Sequence, residues 1–349
     1  MTTRQPTAFE SIPAIDIAPL FGSDTAAQQT TAQELGRAAR DVGFFYVVNH
    51  GISETTQQAL FDQTKRFFDL PLRRKMDYYI GKSNNHRGYV PAGEEAPDPT
   101  KADAKEAFDL SYELPGNHPE VVAGTPMMGA NVWPDLDGFA DDVYAYYQAV
   151  FGVGQALMRG FETALGLDPD ALLSQATQPP SQLRLIHYPF DPNVTDAQGI
   201  GAHTDYECFT LLRPTAPGLE VMNGAGEWVD VPYREDALVV NIGDMLEIWT
   251  NGAFVATSHR VRKVKEERYS FPLFFAADYH TKVAPLPALL AEHEKPKYGP
   301  LAAGDHLWAQ TIQTFNYLKK RLANGEIQLP EGARGAGTLG QHARHKDDA

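Results

Sequence analysis

The stretch "GAHTDYECFTLL" (201–212) sets a histidine and an aspartate two residues apart inside an otherwise strand-like run. Side chains alternate along a strand, so His203 and Asp205 project to one side while Ala202 and Thr204 project to the other. Ligands at i and i+2 cover two adjacent positions of an octahedral metal. A third must arrive from elsewhere in the fold, and His259 in "ATSHRVRKV" is the best candidate. Two imidazoles and one carboxylate on one face leave three positions open, which suits non-haem Fe(II) and oxygen chemistry. Zinc more often takes three protein ligands and one water in a tetrahedron. A single His-x-Asp also occurs as ordinary polar sequence at strand ends. Here it is accompanied by "RYS", in which Arg268 and Ser270 again stand two apart. An arginine fork beside a hydroxyl makes a two-pronged clamp for a carboxylate.

Such residues need a rigid frame. From 181 to 285 the chain breaks into short strand-like runs separated by turns, among them "QLRLIHYPF", "CFTLLRP", "GLEVMN", "ALVVNIGDMLEIWTNG" and "RYSFPLFFAAD". This is the texture of an antiparallel sandwich or barrel. The front of the chain reads as helical, over 25–41 and from Ser53, a plausible N-cap, to Phe68. Strands are expected within 12–20 and 42–52, and a long core-packing helix over 138–167. Residues 80–135 read as loop and 304–324 as a last helix. The organisation expected is one domain over 1–330, with a helical and loop region at 1–135 and the metal-binding core at 181–285. The polar, Gly-rich stretch 331–349 reads as a frayed tail.

Composition narrows the partners. Thirty basic against forty-five acidic residues give a formal charge of -15, which argues against phosphate-neutralising nucleic-acid binding. The single cysteine, Cys208, excludes an intramolecular disulfide framework and thiolate-held clusters. No apolar signal core or membrane-spanning run is present, so the cytoplasm is the expected address, with no membrane and no obligate protein partner.

Taken together, "HTDYECFTLL", "NIGDMLEIWTNGAFVATSHRV" and "ERYSFPLFF" resemble the isopenicillin N synthase-like family of Fe(II) and 2-oxoglutarate-dependent oxygenases. "IPAIDIAPL", "DVGFFYVVNHGI", "FFDLPLRRKM", "GYVPAGEE" and "WPDLDGF" extend the resemblance over nearly the whole chain. It implies a mainly β fold with flanking helices around a double-stranded β-helix, the cupin-like jelly roll. It also implies iron held by His203, Asp205 and His259, and 2-oxoglutarate chelating it, with O2 as the other cosubstrate. Arg268 and Ser270 would bind the far carboxylate of 2-oxoglutarate, with Tyr188 as a third contact. The reaction would hydroxylate or desaturate a small-molecule metabolite and release succinate and CO2.

The sequence departs from the family pattern at Ile186 and His187, where Asn and Tyr are frequent. Ile186 shares a face with Tyr188 and is expected to line the cavity, while His187 points the other way and reads as an outer-face residue. Other candidates for the substrate space are Arg87, Tyr89, Arg184, Phe190 and Phe275. Three alternatives stand beside the dioxygenase: an oxidase like isopenicillin N synthase, an ethylene-forming relative, and a catalytically silent binding protein on the same fold.

Overall fold

A computed structural model describes residues 6–95, 105–190, 198–262, 266–335, 339 and 341. "MTTRQ" at the start, most of the "GEEAPDPTKADAK" cluster and the end of the tail lie outside the described residues. Among the described residues, twelve strands build two sheets: β1 (Ala14–Asp16), β2 (Phe44–Val48), β3 (Gly88–Val90), β4 (Glu106–Ser111), β5 (Gln182–Tyr188), β6 (Gln198–His203), β7 (Phe209–Pro214), β8 (Leu219–Met222), β9 (Trp228–Asp230), β10 (Ala237–Ile242), β11 (His259–Arg262) and β12 (Arg268–Phe275). The larger sheet runs β1-β2-β10-β7-β12-β5-β4-β3, and the smaller runs β6-β11-β8-β9. All pairings in both sheets are antiparallel except β1 with β2.

Alternation sorts the large sheet into two faces. Phe44, Tyr46, Leu212 and Val239 meet Leu219, Val221 and Val261 of the small sheet, so this face looks inward. Phe45, Val47, Leu183, Leu185, Phe271 and Leu273 look outward and pack on Leu35, Phe67, Tyr146, Leu157 and Phe161 of the helices. Two of those helices start where the sequence provides caps. Asp24 accepts from the N–H groups of Ala26 and Ala27 (2.9 and 3.1 Å) to open Thr25–Asp41, and Ser53 Oγ accepts from Thr56 N–H (3.1 Å) to open Glu54–Phe68. The helix Phe139–Leu165 ends at Gly166, whose φ of +68° is left-handed.

That long helix lies so close to the sheet that a Cβ on Gly154 would stand 2.4 Å from the Phe275 ring. Phe275 stacks on Phe209 and Phe151 at 4.7 and 5.1 Å. It is fully buried on the outward face, so the expectation that it borders the substrate space is corrected. Burial of such a side chain contributes about 1.5–3 kcal/mol to stability.

Four local expectations are also revised. The 80–135 "loop" contains β3 and β4, both paired into the large sheet. β3 is only three residues long, and Glu106 and Asp109 break the apolar pattern in β4. "ALVVNIGDMLEIWTNG" is strand only as far as Ile242, and Asp244–Trp249 is a buried helical turn. The last helix is two, Ala303–Thr314 and Asn316–Ala323, separated at Phe315. There Asn316 N–H donates to Glu94 O (2.9 Å) and Tyr317 N–H to Glu94 Oε1 (2.7 Å). In the tail, the described residues Leu339 and Gln341 are buried rather than frayed.

Candidate metal centre and cosubstrate pocket

β6 and β11 pair with His203 directly opposite His259, and their rings lie 4.3 Å apart between centroids. β6 ends at His203, so Asp205 sits in the connection to β7 rather than on the same strand. Its side chain still converges. Asp205 Oδ1 lies 3.6 Å from Nε2 of each histidine, and one potential ligand atom from each of the three residues falls within 4.8 Å of the others.

The surroundings fix which atoms face the gap. His203 Nδ1 lies 2.8 Å from Gly201 O and His259 Nδ1 lies 3.3 Å from Thr257 O. With Nδ1–H donated to these carbonyls, each Nε2 presents a lone pair to the shared space. The second carboxylate oxygen, Asp205 Oδ2, accepts from Asn241 Nδ2 (2.7 Å) and from Thr210 Oγ1. Asp205 Oδ1 is thereby left for a cation.

Electrostatics favour a charged Asp205 and a neutral His259, while the neighbouring carboxylate shifts His203 the other way. Burial works to raise the Asp205 carboxyl, but the imidazoles of His259 and His203 outweigh it and hold it well below the usual carboxylate range. Burial, with the neighbouring His203, pushes His259 down to about 4. For His203 burial also works against charge, yet the hydrogen bond and charge of Asp205 raise it. His203 is the exposed member, its side chain 36% accessible against 9% for His259. Cys208 is buried and burial pushes its thiol up, as an inert core thiol requires.

Deeper in the barrel, Arg268 faces Tyr188 across the β12–β5 ladder, and Ser270 faces Ile186. Arg268 is 1% exposed and its guanidinium lies 4.9 Å over the Tyr188 ring. Its Nε donates to Ala216 O (3.3 Å), but Nη1 and Nη2 are buried with no hydrogen-bond partner. A buried guanidinium with two unpaired donors is costly by itself and has the geometry to take both oxygens of one carboxylate.

The remaining substrate candidates are brought together only in part. Ile186 lines the interior, and Arg184 reaches the same face. The Arg184 guanidinium is already taken, with Nε and Nη2 on Asp109 (2.7 and 2.9 Å) and Nη1 on Glu95 (2.5 Å). Glu95 also pairs with Lys105 at 3.0 Å. Arg87 is spent on Gly129 O, Asn131 Oδ1, Tyr112 O and Met127 O and staples a loop. Tyr89 packs outward on Phe67 and donates to Glu106 (2.6 Å). Phe190 is 62% exposed on the surface. His187 stacks on Tyr269 at 4.7 Å on the outward face, as alternation implied.

Sequence reasoning missed Thr210 and Asn241. A lone Asn in "ALVVNI" was a usable signal for a buried polar role.

Family models match both halves of the chain. Residues 12–136 match the non-haem dioxygenase in morphine synthesis N-terminal model, and residues 179–277 match the 2OG-Fe(II) oxygenase superfamily. The 2-oxoglutarate-Fe(II) type oxidoreductase hxnY of Emericella nidulans is 31% identical over 325 residues, covering 89% of this chain and 93% of that protein. Homoarginine-6-hydroxylase 2-ODD-233 of Oryza sativa subsp. japonica is 33% identical over 331 residues, with coverages of 88% and 98%. Among solved structures, full-length Neurospora crassa T7H in complex with alpha-KG superposes with a TM-score of 0.73 at 25% identity, covering 93% of this chain and 100% of that one. The chain belongs to the 2OG-Fe(II) oxygenase superfamily, with its double-stranded β-helix core. It is an Fe(II)/2-oxoglutarate-dependent dioxygenase that uses O2 to oxidise a small-molecule substrate.

Proposed function

We propose that His203, Asp205 and His259 hold the iron and that Arg268, Ser270 and Tyr188 receive the distal carboxylate of 2-oxoglutarate. The observation that carries this reading is Arg268, a buried guanidinium whose two Nη atoms lack partners inside the same barrel as the convergent His-Asp-His set. Both donor sets fit the groups assigned to them: two neutral imidazoles and a carboxylate for Fe(II), a planar fork for a carboxylate.

Ferrous iron bound there supplies the O2-activating centre for a reaction in which substrate, 2-oxoglutarate and O2 give hydroxylated substrate, succinate and CO2. The protein's own residues do the positioning. Thr210 and Asn241 lock Asp205, and the Gly201 and Thr257 carbonyls orient the two rings. Ile186 and the face of Tyr188 give the cosubstrate an apolar wall. The half-exposed His203 marks the side from which a substrate approaches.

Arg184 does not serve as the substrate's carboxylate anchor, because Asp109 and Glu95 occupy its donors. The substrate is a small metabolite, hydroxylated or desaturated in the cytoplasm without an obligate protein partner. Among the described residues no helix is long and apolar enough to cross a membrane.

The test is an anaerobic titration with Fe(II) and then 2-oxoglutarate, followed by succinate assays over a substrate panel that includes basic amino acids. Iron-dependent 2-oxoglutarate binding and substrate-stimulated succinate are expected. Absence of iron-dependent binding overturns the reading.

A further inference from the structure

Gln341 lies 82 positions beyond His259 in the chain, yet it is fully buried, and three hydrogen bonds tie it to the segment that leads into β11 and to Asn223, just past β8. Its backbone N–H donates to Ala256 O (3.1 Å), its Oε1 accepts from Ser258 N–H (2.8 Å), and its Nε2 donates to Asn223 O (3.3 Å). Ala256 and Ser258 are the two neighbours of Thr257. The Thr257 carbonyl is the group facing His259 Nδ1, and Thr257 Oγ1 is itself tied to Val42 O at 2.7 Å.

β8 and β11 pair from Leu219 opposite Val261 to Val221 opposite His259, and beyond that Met222 N–H reaches Ser258 O. Past this point the two strands part, and the Gln341 amide spans from Asn223 O to Ser258 N–H. From this geometry we propose that Gln341 is a positioning residue for the metal centre: it clamps Thr257 from both sides and so holds the carbonyl that orients His259. The inference rests on the assignment of His259 as a metal ligand.

The physical case is that of an outer partner of a metal ligand. A ring whose Nδ1–H acceptor can drift no longer presents Nε2 at a fixed angle, and removing such partners weakens metal affinity on the order of 10- to 100-fold. The segment is also held by Thr257 Oγ1 on Val42 O and by Ala256 N–H on Glu247 Oε2 (2.7 Å), but Ser258 Oγ is buried without a hydrogen-bond partner and does not stand in for the Gln341 contact to Ser258 N–H.

The experiment measures Fe(II) and Mn(II) affinity anaerobically, alongside the melting temperature of the metal-free protein, for wild type, Gln341→Ala, Gln341→Glu, Leu339→Ala and His259→Ala. Leu339 is a buried apolar residue of the same tail, and the main core cluster includes it, so Leu339→Ala reports what loosening the tail does by itself. Gln341→Ala is expected to lose at least tenfold in metal affinity, and Leu339→Ala to lower the melting temperature while sparing affinity. Gln341→Glu keeps an acceptor for Ser258 N–H but loses the donor to Asn223 O, so an intermediate loss is expected. It also serves if the alanine variant fails to fold. Unchanged affinity in the glutamine variants, or a loss no greater than in Leu339→Ala, overturns the proposal while a dead His259→Ala leaves the ligand assignment standing. Full metal binding by His259→Ala would instead overturn the assignment beneath it.

Discussion

Replacing Arg268 by lysine keeps the positive charge and the approximate reach, and removes one of the two prongs. In the protein, Nη1 and Nη2 are both buried and both free of partners, so each is available to one carboxylate oxygen. Lysine offers a single ammonium, which can take one oxygen well or both poorly. Loss of one charge-assisted hydrogen bond costs about 1.5–3 kcal/mol. At 1.4 kcal/mol per decade this is roughly a 10- to 150-fold weaker 2-oxoglutarate dissociation constant. Calorimetric titration of 2-oxoglutarate into the anaerobic Mn(II)-loaded protein reads it directly. Arg268→Met supplies the converse measurement. It removes a buried cation that has no anionic partner among the described residues, so 2-oxoglutarate binding should vanish while the melting temperature without 2-oxoglutarate holds or rises. Unchanged 2-oxoglutarate affinity in Arg268→Lys refutes the clamp and favours an oxidase that works without this cosubstrate. A large drop in ligand-free stability in Arg268→Met refutes the claim that the guanidinium is stored there for a ligand.

Alanine at His203, Asp205 or His259 should abolish iron binding and turnover with the circular dichroism spectrum retained; full iron occupancy in His259→Ala would remove it from the ligand set. Asn241→Ala withdraws one of the two donors on Asp205 Oδ2, and metal affinity measured by titration should fall on the order of 10- to 100-fold. Glu95 supplies the pH test. Burial alone would raise its carboxyl, but Arg184 and Lys105 bring it down to about 2 from 4.5. A carboxyl depressed in the folded state stabilises above its ordinary value and loses that contribution as pH falls through the folded one. The stability gap between wild type and Glu95→Gln should therefore be full at neutral pH and close between about 4.5 and 2, read by urea unfolding across that range. A gap that does not narrow contradicts the buried Arg184–Glu95–Lys105 pairing.

What could be read beforehand depended on how local the signal was. His203, Asp205, Arg268 and Ser270 sit in two short signatures legible by residue type and order, although Asp205 reaches the histidines from the connection after β6 rather than along the strand. The helix start at Ser53 is equally local, since a cap is made within four residues. Arg87 lay beyond reach because its acceptors are carbonyls and an amide more than twenty positions away, and no sequence pattern marks a carbonyl. β4 was hidden by its own function: Asp109 interrupts the apolar alternation because it faces Arg184 inside the barrel. Phe275 was recoverable, since counting parity from Arg268 and Ser270 sends it to the outward face and sends Phe274 inward.

The order of the large sheet has a practical consequence. The strands contributed by the first third of the chain do not stand beside the jelly roll as a unit. β2, with β1 behind it, pairs with β10 at one flank, and β4, with β3 behind it, pairs with β5 at the opposite flank. The segment from β5 onward therefore has both lateral boundaries closed by the amino-terminal region. Expressed without that region, it would present two bare rows of backbone N–H and C=O groups, one along Ala237–Ile242 and one along Gln182–Tyr188. Open edges of this kind template intermolecular pairing. A fragment beginning near residue 179 keeps every proposed ligand, yet it should self-associate and precipitate before its iron affinity can be measured.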